Sequence, residues 1–199
     1  MQPFTIVSGI AAPLPASNID TDVIMPKQFL KGVDRSGLSD GVFHDLRFGP
    51  LRDTFVLNKS PWQEARFLVV GPNFGCGSSR EHAVWGLGQL GFRALIGTSF
   101  AGIFFDNCAR NGMLAITLEA AALDTLTAIV SDPTTAALTI DLPAQTITAP
   151  GGLQLAFDIE PTRKESLILG LDAVGATLQE RAAIQRFEQA YLQENPWLA

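Results

Sequence analysis

The chain is short of the residues on which several protein classes depend. In 199 residues it has two cysteines, Cys76 and Cys108, and two histidines, His44 and His82. Two cysteines outside any Cys-x-x-Cys pair exclude a disulfide framework. Two histidines among scattered carboxylates make no metal constellation. Positive charge is scarce too: 14 Lys and Arg stand against 20 Asp and Glu, a formal charge of −6. With no basic run, neither nucleic acid nor an anionic membrane is an expected partner. No stretch approaches the roughly 18 apolar residues of a membrane helix. The first segment has little positive charge and is broken by Pro13 and Pro15, unlike a secretory signal. The expectation is a cytoplasmic protein with reduced thiols.

What is present is apolar. Hydrophobic residues make up 47% and charged residues 17%, which excludes a disordered chain. The length suits one domain with a real core, and the apolar excess hints at a surface meant for a partner. Thr5–Val7 reads as a short first strand ended by Gly9. Residues 27–53 show no sustained period, and their interspersed Phe29, Leu30, Phe43, Leu46 and Phe48 favour an ordered loop packed on something. Arg66–Val70 is a continuous apolar run, as in a strand buried on both faces. A helix follows over Arg80–Leu90, with Ala83, Leu87 and Leu90 on one face. A strand at Phe92–Ile96, a helix at Ile103–Ala109 and a strand at Met113–Leu118 complete a parallel α/β core over about 66–118. Three alternating segments (137–142, 146–149 and 153–159) read as an antiparallel meander. A helix from Pro161 to Leu169 and another over 177–192, with Leu178, Ala182, Phe187 and Tyr191 as packing positions, form a C-terminal helical tail from about 161. The whole reads as one domain over 1–199.

The informative segment is Gly75-Cys76-Gly77-Ser78-Ser79-Arg80-Glu81-His82, between a buried strand and a helix. Glycines let backbone N–H groups converge, and a helix start adds unpaired donors and partial positive charge. Ser78 and Ser79 add hydroxyls, and Arg80 adds a planar fork suited to a carboxylate. Such a setting could also stabilise a serine alkoxide. The blander alternative is a serine N-cap beside a surface arginine. No lysine precedes the serines, so the loop is not a P-loop, and Gly77-Ser78-Ser79-Arg80 fails the hydrolase elbow. Gly86-x-Gly88-x-x-Gly91 matches a dinucleotide fingerprint in letters, but it ends a helix instead of opening one. Cys76 is either a thiol of lowered pKa or a small loop filler. His82 reads as structural, Asp20 and Asp22 as turn formers, and Asp45 with Arg47 as a pair holding the long loop.

Three segments read together carry a resemblance. They are Asn18-Ile19-Asp20-Thr21-Asp22 with Ile24 and Pro26, Asn73-Phe74 running into the Gly75–His82 string, and Ser99-Phe100-Ala101 with Ile103, Phe104 and Asn107. The set resembles the family of 3-isopropylmalate dehydratase small subunits, swivelling-domain relatives of aconitase, over nearly the whole chain. The resemblance implies a swivelling β/β/α domain, an α/β fold with a mixed sheet core and flanking helices. It implies a hydro-lyase half that interconverts 2- and 3-isopropylmalate in leucine biosynthesis. By the same resemblance Ser78 is the catalytic base, Ser79 and Arg80 bind a substrate carboxylate, and Asp22 belongs to the substrate site. Residues 27–38 read the variable arm of the substrate, with Arg35 the candidate there. The family's [4Fe-4S] cluster needs three cysteine thiolates. It is therefore expected on a separate large subunit, with no metal on this chain, which alone would be inactive. Alternatives are a related dehydratase acting on homoaconitate or a methyl-branched malate, a non-catalytic anion-binding module, and a thiol enzyme using Cys76.

Overall fold

The computed structural model describes residues 1–31, 35–77 and 79–198. Its centre is a mixed sheet of seven strands in the order β4-β3-β2-β1-β5-β6-β7. The strands are β1 Ile6–Leu14, β2 Phe67–Val70, β3 Ala94–Gly97, β4 Leu114–Thr117, β5 Ala137–Asp141, β6 Thr146–Thr148 and β7 Gln154–Ala156. Strands β1 to β4 are mutually parallel, while β5, β6 and β7 form an antiparallel meander joined to β1. Both expected sheet halves are present.

Alternation along the strands separates two cores. Leu68, Val70 and Leu95 point into one apolar cluster, and Phe67, Val69, Ala94 and Ile96 into the other. Successive side chains of a strand leave on opposite faces, so a continuous apolar run buries both. Each fully buried Leu, Ile or Phe stabilises the fold by about 1.5–3 kcal/mol. On the first face lie α3 His82–Leu90 and α4 Gly102–Arg110. On the second lie α5 Ala120–Val130 and α6 Pro161–Leu169.

Strand β1 runs longer than the sequence suggests, through Gly9 and Pro13. Its first half pairs with β5 over Ile6–Ile10 and its second with β2 over Ala11–Leu14. Pro13 thus lies beyond the stretch paired with β5, where its missing N–H breaks no ladder bond. At Gly9 the Arg66 side chain crosses the strand, with Arg66 Nη1 donating to the Ser8 carbonyl at 3.0 Å. Helix α5 has no sequence counterpart above. It presents Leu123, Leu126 and Val130 at helical spacing. Its β-branched residues lower propensity, and its N-cap, Glu119, makes no side-chain bond.

The connection from β1 to β2 holds two short helices, α1 Thr21–Ile24 and α2 His44–Phe48, among 3-10 turns. As expected it packs inward, burying Leu38, Val42 and Phe43. The expected Asp45–Arg47 pair does not form. Asp45 instead meets His44 Nδ1 at 3.1 Å. Arg47 donates to the carbonyls of Ser39 at 2.8 Å and Val42 at 3.2 Å. Burial lowers its pKa, partly countered by Asp40. At the far end the single expected helix is two, α7 Ala173–Gln179 and α8 Arg181–Glu194. Neither has a buried residue, and Leu178, Phe187 and Tyr191 are exposed instead of packed on this chain. No helix of the described residues is long and apolar enough to cross a membrane.

Candidate functional site

The carboxyl ends of β1, β2 and β3 face one end of the sheet, where loops can gather without competing with the ladder. There the segment after β2 is stitched between the segments after β1 and β3. On one side, Asn18 N–H donates to the Pro72 carbonyl at 2.9 Å, Gly75 N–H to Ile19 at 2.8 Å and Thr21 N–H to Cys76 at 2.8 Å. On the other, Asn73 N–H donates to Ser99 Oγ at 2.9 Å, and Ala101 N–H to the Phe74 carbonyl at 3.0 Å. Asn73 Nδ2 bonds Asn18 Oδ1 at 2.8 Å. The three sequence segments that carry the resemblance are therefore one spatial cluster.

Local chemistry explains the path. Asn18 and Asn73 both adopt left-handed backbone, with φ of 57° and 58°, which asparagine tolerates better than most residues. Gly75 has φ of 78°, and a Cβ there would fall inside the Phe104 ring. That ring is buried and packed edge-on against Phe74 at 5.5 Å. Asp20 caps α1, accepting from Val23 N–H at 2.7 Å. This confirms its turn-forming reading and leaves its neighbour Asp22 pointing elsewhere.

Asp22 and Arg80 meet across the cluster, with Arg80 Nη2 3.3 Å from Asp22 Oδ1. Both remain substantially exposed, at 63% and 45% of the side chain. A pair so exposed contributes little to stability, so its interest lies in orienting a guanidinium at an open surface. Thr21, Met25, Leu30, His82 and Ala83 line the narrow seam beneath. Helix α3 opens at His82, two residues later than expected, so Ser79 and Arg80 stay in the loop. Its N-cap is Glu81, which makes no side-chain capping bond. Ser79 is thus not a helix cap. Ser78, the expected base, lies outside the described residues.

Arg35 stands apart from this pair. Its guanidinium lies over the Trp85 ring at 4.2 Å, on the face of α3 one turn past His82. His82 itself packs on Trp85 at 4.7 Å, and its Nδ1 is buried without a partner among the described residues. Gly86 permits close packing of α3 on Met25 and Val42, and Gly91 is a left-handed C-cap. The glycine fingerprint is therefore a helix end, as read.

The residues do not fit an iron–sulfur cluster. Three thiolates are needed, and the sequence holds two cysteines. Cys108 is fully buried on α4, and burial drives its thiol pKa upward, so it is no thiolate ligand or nucleophile. Cys76 is half-buried in the site loop. Among the described residues no three His, Cys, Asp or Glu gather as a metal site.

The unforeseen contributors are the polar residues behind the loop. Thr21 is 4% exposed and Asn107 also 4%. Asn107 Nδ2 donates to the Ser79 carbonyl at 3.3 Å. The visible signal was asparagine recurring within the three segments, at 18, 73 and 107.

Comparison with known proteins bears on the family and the fold. The Aconitase C-terminal domain family matches residues 1–121, and the family of C-terminal domains of 3-isopropylmalate dehydratase small subunits matches 174–199. A protein of Mannheimia succiniciproducens named 3-isopropylmalate dehydratase small subunit 1 is 57% identical over 201 aligned positions, covering 100% of this chain and 99% of its own. A Rhodospirillum rubrum protein named 3-isopropylmalate dehydratase small subunit is 49% identical, spanning 100% of this chain and 97% of its own. The crystal structure of a 3-isopropylmalate dehydratase from Methanocaldococcus jannaschii superposes with a TM-score of 0.66 at 26% identity, covering 92% of this chain and 99% of that one.

Proposed function

The chain belongs to the family of 3-isopropylmalate dehydratase small subunits, and on that premise we propose that its loop cluster is one half of a split hydro-lyase site. The other half is a large subunit that carries the [4Fe-4S] cluster, since this chain has too few thiols to hold one. The substrate is 2-isopropylmalate, isomerised to 3-isopropylmalate by loss and readdition of water in the cytoplasm.

The observation that carries this reading is the meeting of Arg80, next to Ser79, with Asp22 at the ends of β1 and β2, where the Thr21–Cys76, Gly75–Ile19 and Ala101–Phe74 backbone bonds hold the surrounding segments together. Arg80 offers a planar fork to a substrate carboxylate, and Asp22 fixes that fork's direction. Ser79 adds a hydroxyl beside it. Ser78, next in sequence, is the base. As an alkoxide it takes the proton from the carbon next to the carboxylate and gives it back at the neighbouring carbon. Free serine is a poor base at neutral pH, so an arginine and loop N–H donors are required to lower that cost. Residues 27–38, Arg35 among them, read the branched arm.

The test is anaerobic turnover of 2-isopropylmalate by this chain mixed with an iron–sulfur large subunit. The expected result is activity in the mixture and in neither chain alone. Ser78→Ala should lower kcat about 10²–10⁴-fold, the span of general-base effects, with complex formation intact. A mixture that forms a complex with an intact cluster and still leaves isopropylmalate unchanged would refute the substrate. Full activity in Ser78→Ala would refute the base.

A further inference from the structure

We infer that Asn107 is a positioning residue for the reactive loop, with Asn111 and Trp85 as its backing. The inference rests on the loop reading above for its kinetic consequence, though not for its structural one.

Asn107 sits on α4, between the buried side chains of Phe104 and Cys108. A buried amide on an apolar helix face is costly unless it makes a bond, and leucine would pack there at lower cost. The bond it makes is to the Ser79 carbonyl, the peptide unit that joins Ser79 to Arg80. A second tie secures the donor. Asn111 Nδ2 donates to the Asn107 carbonyl at 2.8 Å, and Asn111 Oδ1 accepts from Trp85 Nε1 on α3 at 2.9 Å. Helix α3 is thereby tied to the C-terminal end of α4, one turn past Asn107. Residues 79–81 belong to no strand, so this chain of three bonds braces Ser79 from behind. Its final link, at 3.3 Å, is longer than usual.

A mispositioned loop weakens the transition state more than ground-state binding, since proton transfer depends steeply on geometry. Asn107→Asp keeps volume but sets carboxylate oxygens against the Ser79 carbonyl. In the reconstituted complex we expect kcat to fall at least about 10-fold with KM changed less than about threefold. In the free small subunit, backbone amides 80–82 should exchange at least about 10-fold faster, while those of β3 are unchanged. Asn111→Asp, which loses the donor to Asn107 but keeps an acceptor for Trp85, should give a smaller effect of the same pattern.

Unchanged kcat and exchange in Asn107→Asp would overturn the inference. So would a general rise in exchange through the sheet, which would mark a merely structural residue, or a KM effect without a kcat effect. Should the wild-type complex prove inactive on isopropylmalate, the substrate assignment above fails, while the exchange measurement still decides the positioning role.

Discussion

Strands β1 to β4 run parallel and deliver three loops to one end of the sheet, whereas β5 to β7 run antiparallel and return through short turns. The two halves share β1 and bury side chains of similar kind. They differ in what leaves their ends. Parallel strands need long crossovers, and a crossover has spare backbone donors and polar side chains to place. Here these are Asn18, Thr21, Asn73, Ser99 and Asn107, whose bonds hold the segment after β2 at Pro72, Asn73, Cys76 and Ser79. The meander spends its polar groups on itself. Asp141 accepts from Ala144 N–H at 2.8 Å, and Gln145 donates to the Phe157 carbonyl at 2.9 Å. On the proposed reading, chemistry collects on the parallel half, and the antiparallel half supplies a wall.

The sharpest way to break this contrast is at Gly75. Alanine there incurs left-handed backbone strain and collides with the buried Phe104 ring. The two effects together should cost about 2–6 kcal/mol. Activity per folded complex should be lost as well, because the loop must shift to admit the methyl group. Denaturant unfolding and turnover of the purified variant, measured together, check both. Retained turnover per folded molecule would mean that the loop path is not tied to chemistry.

The matched change in the other half is Ile140→Ala, at a fully buried β5 position paired with Val7 and Ile147. It should cost about 2–5 kcal/mol, as large-to-small core changes do. Turnover per folded molecule should stay within about twofold of wild type, since the site lies at the other half of the sheet. A large kcat effect from Ile140→Ala would erase the distinction between the halves.

Both halves of the sheet were legible in sequence, apart from the length of β1. Continuous apolar runs at 67–70 and 94–97 and the turn glycines announce strands without ambiguity, and the meander alternates visibly. Illegible were features decided by tertiary contact. Gly9 reads as a strand end until Arg66 is seen crossing it. The Ala- and Thr-rich α5 has no side-chain cap, and its apolar stripe matters only against β1 and β2. At the site, Arg80 is legible because guanidinium beside glycine and serine is chemically pointed. Its pairing with Asp22 and the support from Asn107 are not, because they join residues 58 and 28 positions apart. Spacing cannot report a contact that only the sheet order creates.

The finest distinction concerns the junction of the meander with α6. Glu160 caps that helix, its carboxylate accepting from Thr162 N–H and Arg163 N–H, each at 2.9 Å. Those backbone donors hold its pKa below the ordinary 4.5, opposed by slight desolvation and aided by the charge of Arg163. Between the lowered folded value and the unfolded value near 4.5, the unfolded chain binds the proton and the folded chain does not. Stability from this cap is thus fully present above about pH 5 and is lost as pH falls through the folded value. Glu160→Gln removes the charge and the titration together. Its melting temperature should lie slightly below wild type at about pH 7, with the gap narrowing as the pH falls below the ordinary 4.5, while turnover at neutral pH stays unchanged. A gap that widens in acid would show that the carboxylate is not what the helix end holds. A fall in turnover would show that the antiparallel half reaches the chemistry after all.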